Sequence, residues 1–293
     1  MVLSRSGLLS SKSYGRFFAL VLIGSLLALS VASVPRGVSA EEGDAVWRAV
    51  HRNTFREPED AARDSHRHPE DVLRFFGIDE TMTVVEVNPG GGWYSRILAP
   101  LLKDSGLYVG LEHHPNLYEG YTYADRLRAY PETIDSNRAL YGSRAVAGWI
   151  GNAGDTPQPA ESVDVVLVVR AMHNWVRRGF FDHAIGQSWD MLKPDGVLAV
   201  VQHRADPDAH GDRHATTRRG RWKQAELIAA VEAYGFRLEA ASDINANPKD
   251  AKNYSQGVWT LPPVLAAGDE NRAAMRAIGE SDRMTLKFVK VVP

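Results

Sequence analysis

The sequence predicts an α/β fold, a mostly parallel sheet with helices packed on both faces. Three observations carry this. From residue 83 onward, short apolar runs of strand length alternate with amphipathic runs of helix length. One of them, "SVDVVLVVR", is apolar at nearly every position from Val163 to Val169, as a strand covered on both faces should be. The first, "TVVEV", breaks at Asn88-Pro89, passes three glycines (Gly90, Gly91 and Gly92) and restarts as the helical "WYSRILAPLLK". A strand joined to a helix by a glycine turn is the repeating unit of parallel sheets.

Residues 41–79 read as N-terminal helices. "DAVWRAVHR" places Val46, Trp47 and Val50 on one side, and "HPEDVLRFFGI" offers Val72, Leu73, Phe75 and Phe76 for burial before ending at Gly77. The charged piece between them, "REPEDAARDSHRH", reads as a solvated face or loop. Residues 80–293 form the α/β domain. After the strand at 83 come strands at Leu107 to Glu112, Val146 to Ile150, Val163 to Val169 and Val197 to Gln202, then "RLEAASD" and "MTLKFVKVV", seven in all. Helices are expected around "RGFFDHAIGQSWDMLK" and over "KQAELIAAVEAYGF", the second with Leu227, Ile228, Val231 and Tyr234 inward. Residues 244–283 are long and irregular, the kind of segment that serves as a lid or binding loop.

The first forty residues have another character. A basic stretch with Arg5, Lys12 and Arg16 leads into the uncharged run Phe17 to Val34, and the small residues of "VSA" precede the acids of "EEGD". That is the layout of a cleaved secretory signal peptide, and it predicts a periplasmic or secreted protein with no membrane span after cleavage. The segment holds four basic residues (Arg5, Lys12, Arg16, Arg36) and no acid, so its removal shifts the formal charge from −2 to −6. An acidic chain without a basic tract is a poor partner for nucleic acid. The absence of cysteine excludes disulfides and thiolate chemistry.

Glycines between a strand and a helix let a ligand approach the backbone closely. A phosphate loop of the Gly-Lys-Ser/Thr kind is excluded, because no lysine follows Gly92. A dinucleotide loop wants a third, spaced glycine, where "GGGWYS" has bulky residues, and it would meet an acid, Glu86, inside the strand. The run instead resembles motif I of the class I S-adenosylmethionine-dependent methyltransferases. Glu86 stands at the motif's acid, Asn88 at its first glycine, and Gly90 and Gly92 at the others. Asn88 precedes Pro89, and a residue before proline favours extended backbone, so glycine is not expected to be needed there. The likeness continues in order through Glu112 after the second strand, "GNAGDTP" after the third, "SVDVVLVV" at the fourth and "MLKPDGVLAVVQHR" at the fifth. It is similar in more detail to a subgroup of predicted exported methyltransferases sharing "PGGGWY", "HNW", "HRA" and "GVWTLPP…GESDRM".

The resemblance implies a Rossmann-like seven-stranded sheet with the last strand antiparallel, S-adenosyl-L-methionine as cofactor, and methyl transfer to an acceptor, small molecule or protein. It implies that the backbone at 90–92, flanked by the carboxylates of Glu86 and Glu112, holds the adenosyl sulfonium, with Glu112 on the ribose hydroxyls and Asn152 near the adenine. Asn88, Pro89, Gly91, Tyr94, His113, Ala153 and Arg170 complete the expected cofactor contacts. In parallel sheets sites form beyond the carboxyl ends of the strands. That singles out "RAMHNW" and "QHRA", with His173 or His203 as base, Asn174 orienting the acceptor, Trp175 as a wall and Arg204 on an anionic group. His66, His68, His210, Asp212 and His214 lack the spacing of a strong metal site, and no metal is expected. A non-catalytic adenosyl-binding protein on the same fold is the alternative.

Overall fold

The computed structural model describes residues 43–269 and 271–292, so the export signal read at 1–40 lies outside the described residues. Helix α1 (Ala45–His51) begins at Asp44, whose carboxylate accepts hydrogen bonds from the Val46 and Trp47 amides at 2.8 and 3.2 Å. Two single-turn helices follow, α2 (Pro58–Ala61) and α3 (Asp64–Arg67), then α4 (Pro69–Phe76), which stops at Gly77 with φ 75°. The piece read as solvated is thus helical, and it buries Asp60 and Arg67. Local charge density misleads here because the partners are remote in sequence: Arg96 for Asp60 and Glu280 for Arg67.

The α/β part runs β1 (Thr83–Val87), α5 (Ser95–Leu102) and β2 (Leu107–His113). A 3-10 turn (Pro115–Tyr118) and three short helices, α6 (Tyr123–Arg128), α7 (Tyr130–Ser136) and α8 (Arg138–Tyr141), lead to β3 (Val146–Ile150). Then come β4 (Val163–Val169), α9 (Met172–Arg177), α10 (Phe181–Met191), β5 (Leu192–His203), α11 (Arg213–Arg218), α12 (Gln224–Glu232) and β6 (Phe236–Ser242). A second 3-10 turn (Gly257–Thr260) and α13 (Arg272–Ile278) precede β7 (Arg283–Lys290). Strand β5 starts at Leu192, five residues ahead of the expected Val197, because Leu192 pairs with Val163 before the register shifts.

The seven strands form one sheet in the order β3-β2-β1-β4-β5-β7-β6. β7 runs antiparallel to β5 and β6, and the other pairs are parallel, the architecture the resemblance implies. Side chains alternate across it. Val85, Val87, Val166, Val168, Leu198 and Val200 pack with Trp175, Phe181, Ile185, Leu227 and Val231 from α9, α10 and α12. Val84, Val165, Leu167, Ala199 and Val201 pack with Val46, Val50, Leu73, Phe76, Ile97 and Leu102 from α1, α4 and α5. Each of the valine, leucine, isoleucine and phenylalanine side chains contributes about 1.5–3 kcal/mol by leaving water. Among the described residues no helix is long and apolar enough to cross a membrane.

One of the contacts that seat the helices between β2 and β3 on the sheet is unusually close. Gly110, inside β2, leaves room for Tyr130 of α7, whose hydroxyl lies 1.9 Å from where a Cβ on residue 110 would stand. Gly110→Ala is therefore expected to cost about 1–3 kcal/mol through overpacking. Tyr130→Phe in the same chain should return part of that loss, read as urea midpoints of the single and double variants. An unchanged midpoint for Gly110→Ala would show that α7 can lift away freely.

Candidate functional site

Adjacent strands β1 and β4 end in the same way, and their ends open the site. After β1 the Asn88 amide reaches across to the Leu111 carbonyl of β2 at 2.7 Å, with φ 55°. After β4 the Arg170 amide reaches the Val201 carbonyl of β5 at 2.7 Å, with φ 57°. The two exits lean in opposite directions, which opens a crevice between them at the point where strand order reverses. The expectation that Asn88 is extended is corrected: it is left-handed, the conformation glycine usually fills and asparagine tolerates best among the others. The pull of the Leu111 carbonyl outweighs the preference imposed by Pro89.

Gly90 and Gly92 are also left-handed, with φ 61° and 76°. A Cβ built on Gly91 would meet nothing within 4 Å, and one on Gly90 only the Asn88 carbonyl at 3.7 Å, so the backbone faces open space. Two cavities flank this turn. One, of about 360 Å³, is walled by Asn88 to Gly91, by Arg170, His173 and Asn174 after β4, by His203 at the end of β5, by Arg63 and Arg67 of the N-terminal helices, and by Trp259, Pro262, Pro263, Val264, Glu280 and Ser281. The other, of about 380 Å³, lies on the far side between the glycines and Arg126, Tyr130 and Tyr141. Both volumes suit a small molecule. A larger hollow of about 440 Å³ beside Arg48 and Lys103 lies away from the carboxyl ends of the strands and holds none of the residues singled out above.

The two carboxylates do not face these cavities as expected. Glu86 is buried and accepts hydrogen bonds from the Ser95 hydroxyl at 2.7 Å and the Tyr108 hydroxyl at 2.8 Å, so it braces the start of α5 from beneath. Burial pushes its carboxyl up to about 7 against the lowering effect of those two donors. Glu112 is buried as well. Its Oε1 takes the Gly90 amide at 3.2 Å and the Arg126 guanidinium at 3.3 Å, while its Oε2 has no hydrogen-bond partner. Arg126 also donates to the Gly90 carbonyl at 3.1 Å, so it latches the glycine turn to Glu112. Sequence reasoning missed this latch, since nothing in "ADRLRAY" separates one surface arginine from another.

The remaining cofactor candidates are divided. His113 is buried, hydrogen-bonded through Nδ1 to the Tyr118 hydroxyl at 2.9 Å and stacked on its ring, and burial lowers its pKa to about 3. Asn152 turns its amide to Asp155 at 3.1 Å, and Gln187 clamps the loop through the Gly151 amide and the Asn152 and Asp155 carbonyls. Ala153 is exposed. Tyr94 is buried edge-on against Trp93. Pro89 and Gly91 line both cavities, and Asn88 lines the first with its side-chain oxygen buried and unpartnered. Arg170, placed among the cofactor contacts by sequence, lies on the β4 side of that first cavity.

His173, Asn174 and His203 come together on one wall, the histidine rings 5.8 Å apart. His173 packs edge-on to Trp259 and lies 3.4 Å from the Gln202 amide nitrogen, and His203 Nδ1 pairs with the Ser281 hydroxyl at 2.6 Å. Burial, and then Arg177, lowers His173 to about 3; burial, then His173 and Arg170, lowers His203 well below its usual value. Both rings are neutral near pH 7. Two expected roles are corrected. Trp175 is wholly buried in the core and forms no wall, and Arg204 is held by Asp282 and Asp243 and reaches no open cavity. Asp212 caps α11 through the Ala215 amide. No cluster of three or more metal-ligating side chains occurs among the described residues.

An arginine cluster faces these histidines. Glu280 accepts from Arg63 Nε at 2.8 Å, Arg67 Nε at 3.1 Å and Arg283 Nη1 at 2.9 Å. Burial pushes its carboxyl up, but Arg283, Arg67, Arg170 and Arg63 outweigh this and hold it at about 2. The sequence signal for Arg63 and Arg67 was their four-residue spacing, which puts both on one side of a helix.

By sequence the chain matches no protein-family model and no curated protein. By structure it resembles a SAM-dependent methyltransferase from Aquifex aeolicus, at 16% identity over 80% of this chain and 94% of that one, with a TM-score of 0.50. It also resembles a candidate sarcosine dimethylglycine methyltransferase from Galdieria sulphuraria, at 13% identity over 80% and 87%, with a TM-score of 0.51. The fold is that of the class I methyltransferases. At these identities the likeness speaks to fold and not to activity.

Glu86 gives the site a measurable signature. Its carboxyl is raised from 4.5 to about 7 in the fold, so an ionised Glu86 is disfavoured there. Stability is highest below the unfolded value and is lost as pH rises through 7, by roughly 3 kcal/mol for a shift of this size. Glu86→Gln mimics the protonated form, so between pH 5 and pH 8 its urea midpoint should fall less than that of the parent protein. Parallel pH profiles for the two proteins would show that Glu86 is ionised throughout.

Proposed function

We propose that the protein is an S-adenosylmethionine-dependent methyltransferase acting outside the cytoplasm. The observation that carries this is the uncovered backbone at Gly90 and Gly91, set between β1 and α5 and opening on a cavity at the reversal of strand order. The two carboxylates support it less directly, since both are turned to donors of the chain itself. An adenosyl group fits the site once Arg126 leaves Glu112. Oε2 of Glu112 already lacks a donor, and Arg126 is half exposed, so it can turn to water while the ribose hydroxyls take its place on the buried carboxylate. Glu112 would then hold the ribose, and the glycine turn with Asn88 the amino-acid end.

The cofactor, when bound, supplies an electrophilic methyl carbon. The chain supplies position. Asn174 and the neutral rings of His173 and His203 offer hydrogen bonds to an acceptor atom, while Trp259 and the Pro262–Pro263 pair wall the cavity against water. Orientation of this kind is worth roughly 7–11 kcal/mol. Histidines held so far below neutrality are weak bases, which favours an acceptor that carries no proton to lose or loses it readily. A second reading, a non-catalytic adenosyl-binding protein, draws on the Arg126 latch and on those weak bases. The placement outside the cytoplasm draws on the signal layout of residues 1–40 alone.

Titration calorimetry with S-adenosylhomocysteine should show one-to-one binding. Glu112→Ala should weaken it about 10- to 100-fold, as expected for loss of a charged hydrogen-bond acceptor, and Arg126→Ala should leave it equal or tighter. Silence toward both S-adenosylmethionine and its product at millimolar concentration would reject the reading. The intact mass of the exported protein should correspond to a start at Glu41; a mass retaining residues 1–40 would reject cleavage.

A further inference from the structure

The Arg63, Arg67, Arg170 and Arg283 side chains are more than Glu280 can satisfy. A carboxylate offers about four lone-pair sites, and Glu280 already accepts from Arg63, Arg67 and Arg283. Arg170 is left over. Among the described residues its side chain has no hydrogen bond and no carboxylate within ion-pair distance, and its Nε is buried without an acceptor. Arg67 Nη2 and Arg283 Nε are buried and unpartnered as well. The other acid lining the cavity, Asp60, is committed to Arg96 through both its oxygens.

A guanidinium does not shed its proton at any ordinary pH, so one that is half-buried and unpaired, with its Nε buried, calls for an anion. Burial and mutual repulsion act on this cluster: Arg67 is lowered to about 9 and Arg170 to about 10, in each case by burial first. Arg170 also holds a left-handed backbone, at φ 57°, unusual for a long side chain. Backbone strain of this kind gathers where function requires a side chain to be aimed. Here it belongs to the residue that carries the unmatched charge.

We propose that the cavity beside His173 and His203 is built for an anionic substrate, whose carboxylate or phosphate group docks on Arg170 and the free edge of Arg67. Calling this substrate the methyl acceptor rests on the function proposed above; the anion site itself does not. The geometry favours two parallel N–H···O bonds from a guanidinium fork, the arrangement these oxyanions match. Glu280 then serves as the permanent counter-charge that holds the other arginines in place, and the substrate completes the set.

The test uses the purified protein with inorganic phosphate and with succinate as probes, each against sodium chloride at equal ionic strength. Saturable binding by calorimetry is expected with at least one probe, together with a rise in melting temperature that chloride does not give. Arg170→Gln should weaken that binding at least tenfold with an unchanged circular dichroism spectrum, and Arg170→Lys, which keeps the charge but loses the fork, should fall between. Probes that act no differently from chloride, or an Arg170→Gln variant that binds as well as the parent, would overturn the anion site. Repeating the titration with saturating S-adenosylhomocysteine separates the two sources of an anion. Undiminished probe binding assigns the site to the acceptor, and displacement would overturn that assignment in favour of the carboxylate of the cofactor. Probe binding in a protein indifferent to S-adenosylhomocysteine would keep the anion site and reject the methyltransferase reading.

Discussion

The site depends on the divergence of β1 and β4. These strands are neighbours in the middle of the sheet, yet one hands its chain to β2 and the other to β5. Each does so with a left-handed residue whose amide is captured by the strand on its far side. The cavity is therefore a product of topology before it is a product of any side chain. Asn88 and Arg170 are equivalent in the backbone and different in chemistry: one leads into bare glycine backbone, the other presents a charge across the gap. Bare backbone on one wall, with polar and cationic side chains opposite, is what a bulky ligand and a charged partner need in order to meet.

Charge is unevenly spread in the molecule. The described chain is acidic as a whole, yet guanidiniums crowd the cavity. Several internal acids are committed to arginines, as Asp60 is to Arg96, Glu280 to three arginines, and Asp250 to Arg221. Against these pairs, Arg170, whose side chain has no carboxylate partner, is informative. The histidines alongside are neutral, so they do not add to the positive field at pH 7 and can form hydrogen bonds with a substrate of either charge state.

The strands could be read from the sequence because their burial is written locally. Val163 to Val169 is apolar at every position but Asp164, and β-branched residues leave no competing helical reading. The glycine turn was legible for the same reason. What could not be read were relations between segments. Glu86 and Glu112 were correctly located at strand ends, but which donors would face them depends on Tyr108, Ser95 and Arg126, and no local pattern orders those side chains. At Asn88 a neighbour rule, the effect of a following proline, is overruled by a hydrogen bond to the next strand. The charged stretch at 56–68 reads as surface because counter-charges of its arginines lie up to 217 positions away.

That last distance has a consequence for how the molecule comes into being. Arg63 and Arg67 meet Glu280, and Arg283 meets the His66 carbonyl, only when the final strand takes its place between β5 and β6. Until then the early helices present guanidiniums with nothing to neutralise them, and the central strands have no roof over their ends. The pocket is consequently among the last parts of the molecule to exist, and an incompletely synthesised chain holds two sides of a cavity without the joint that makes them one.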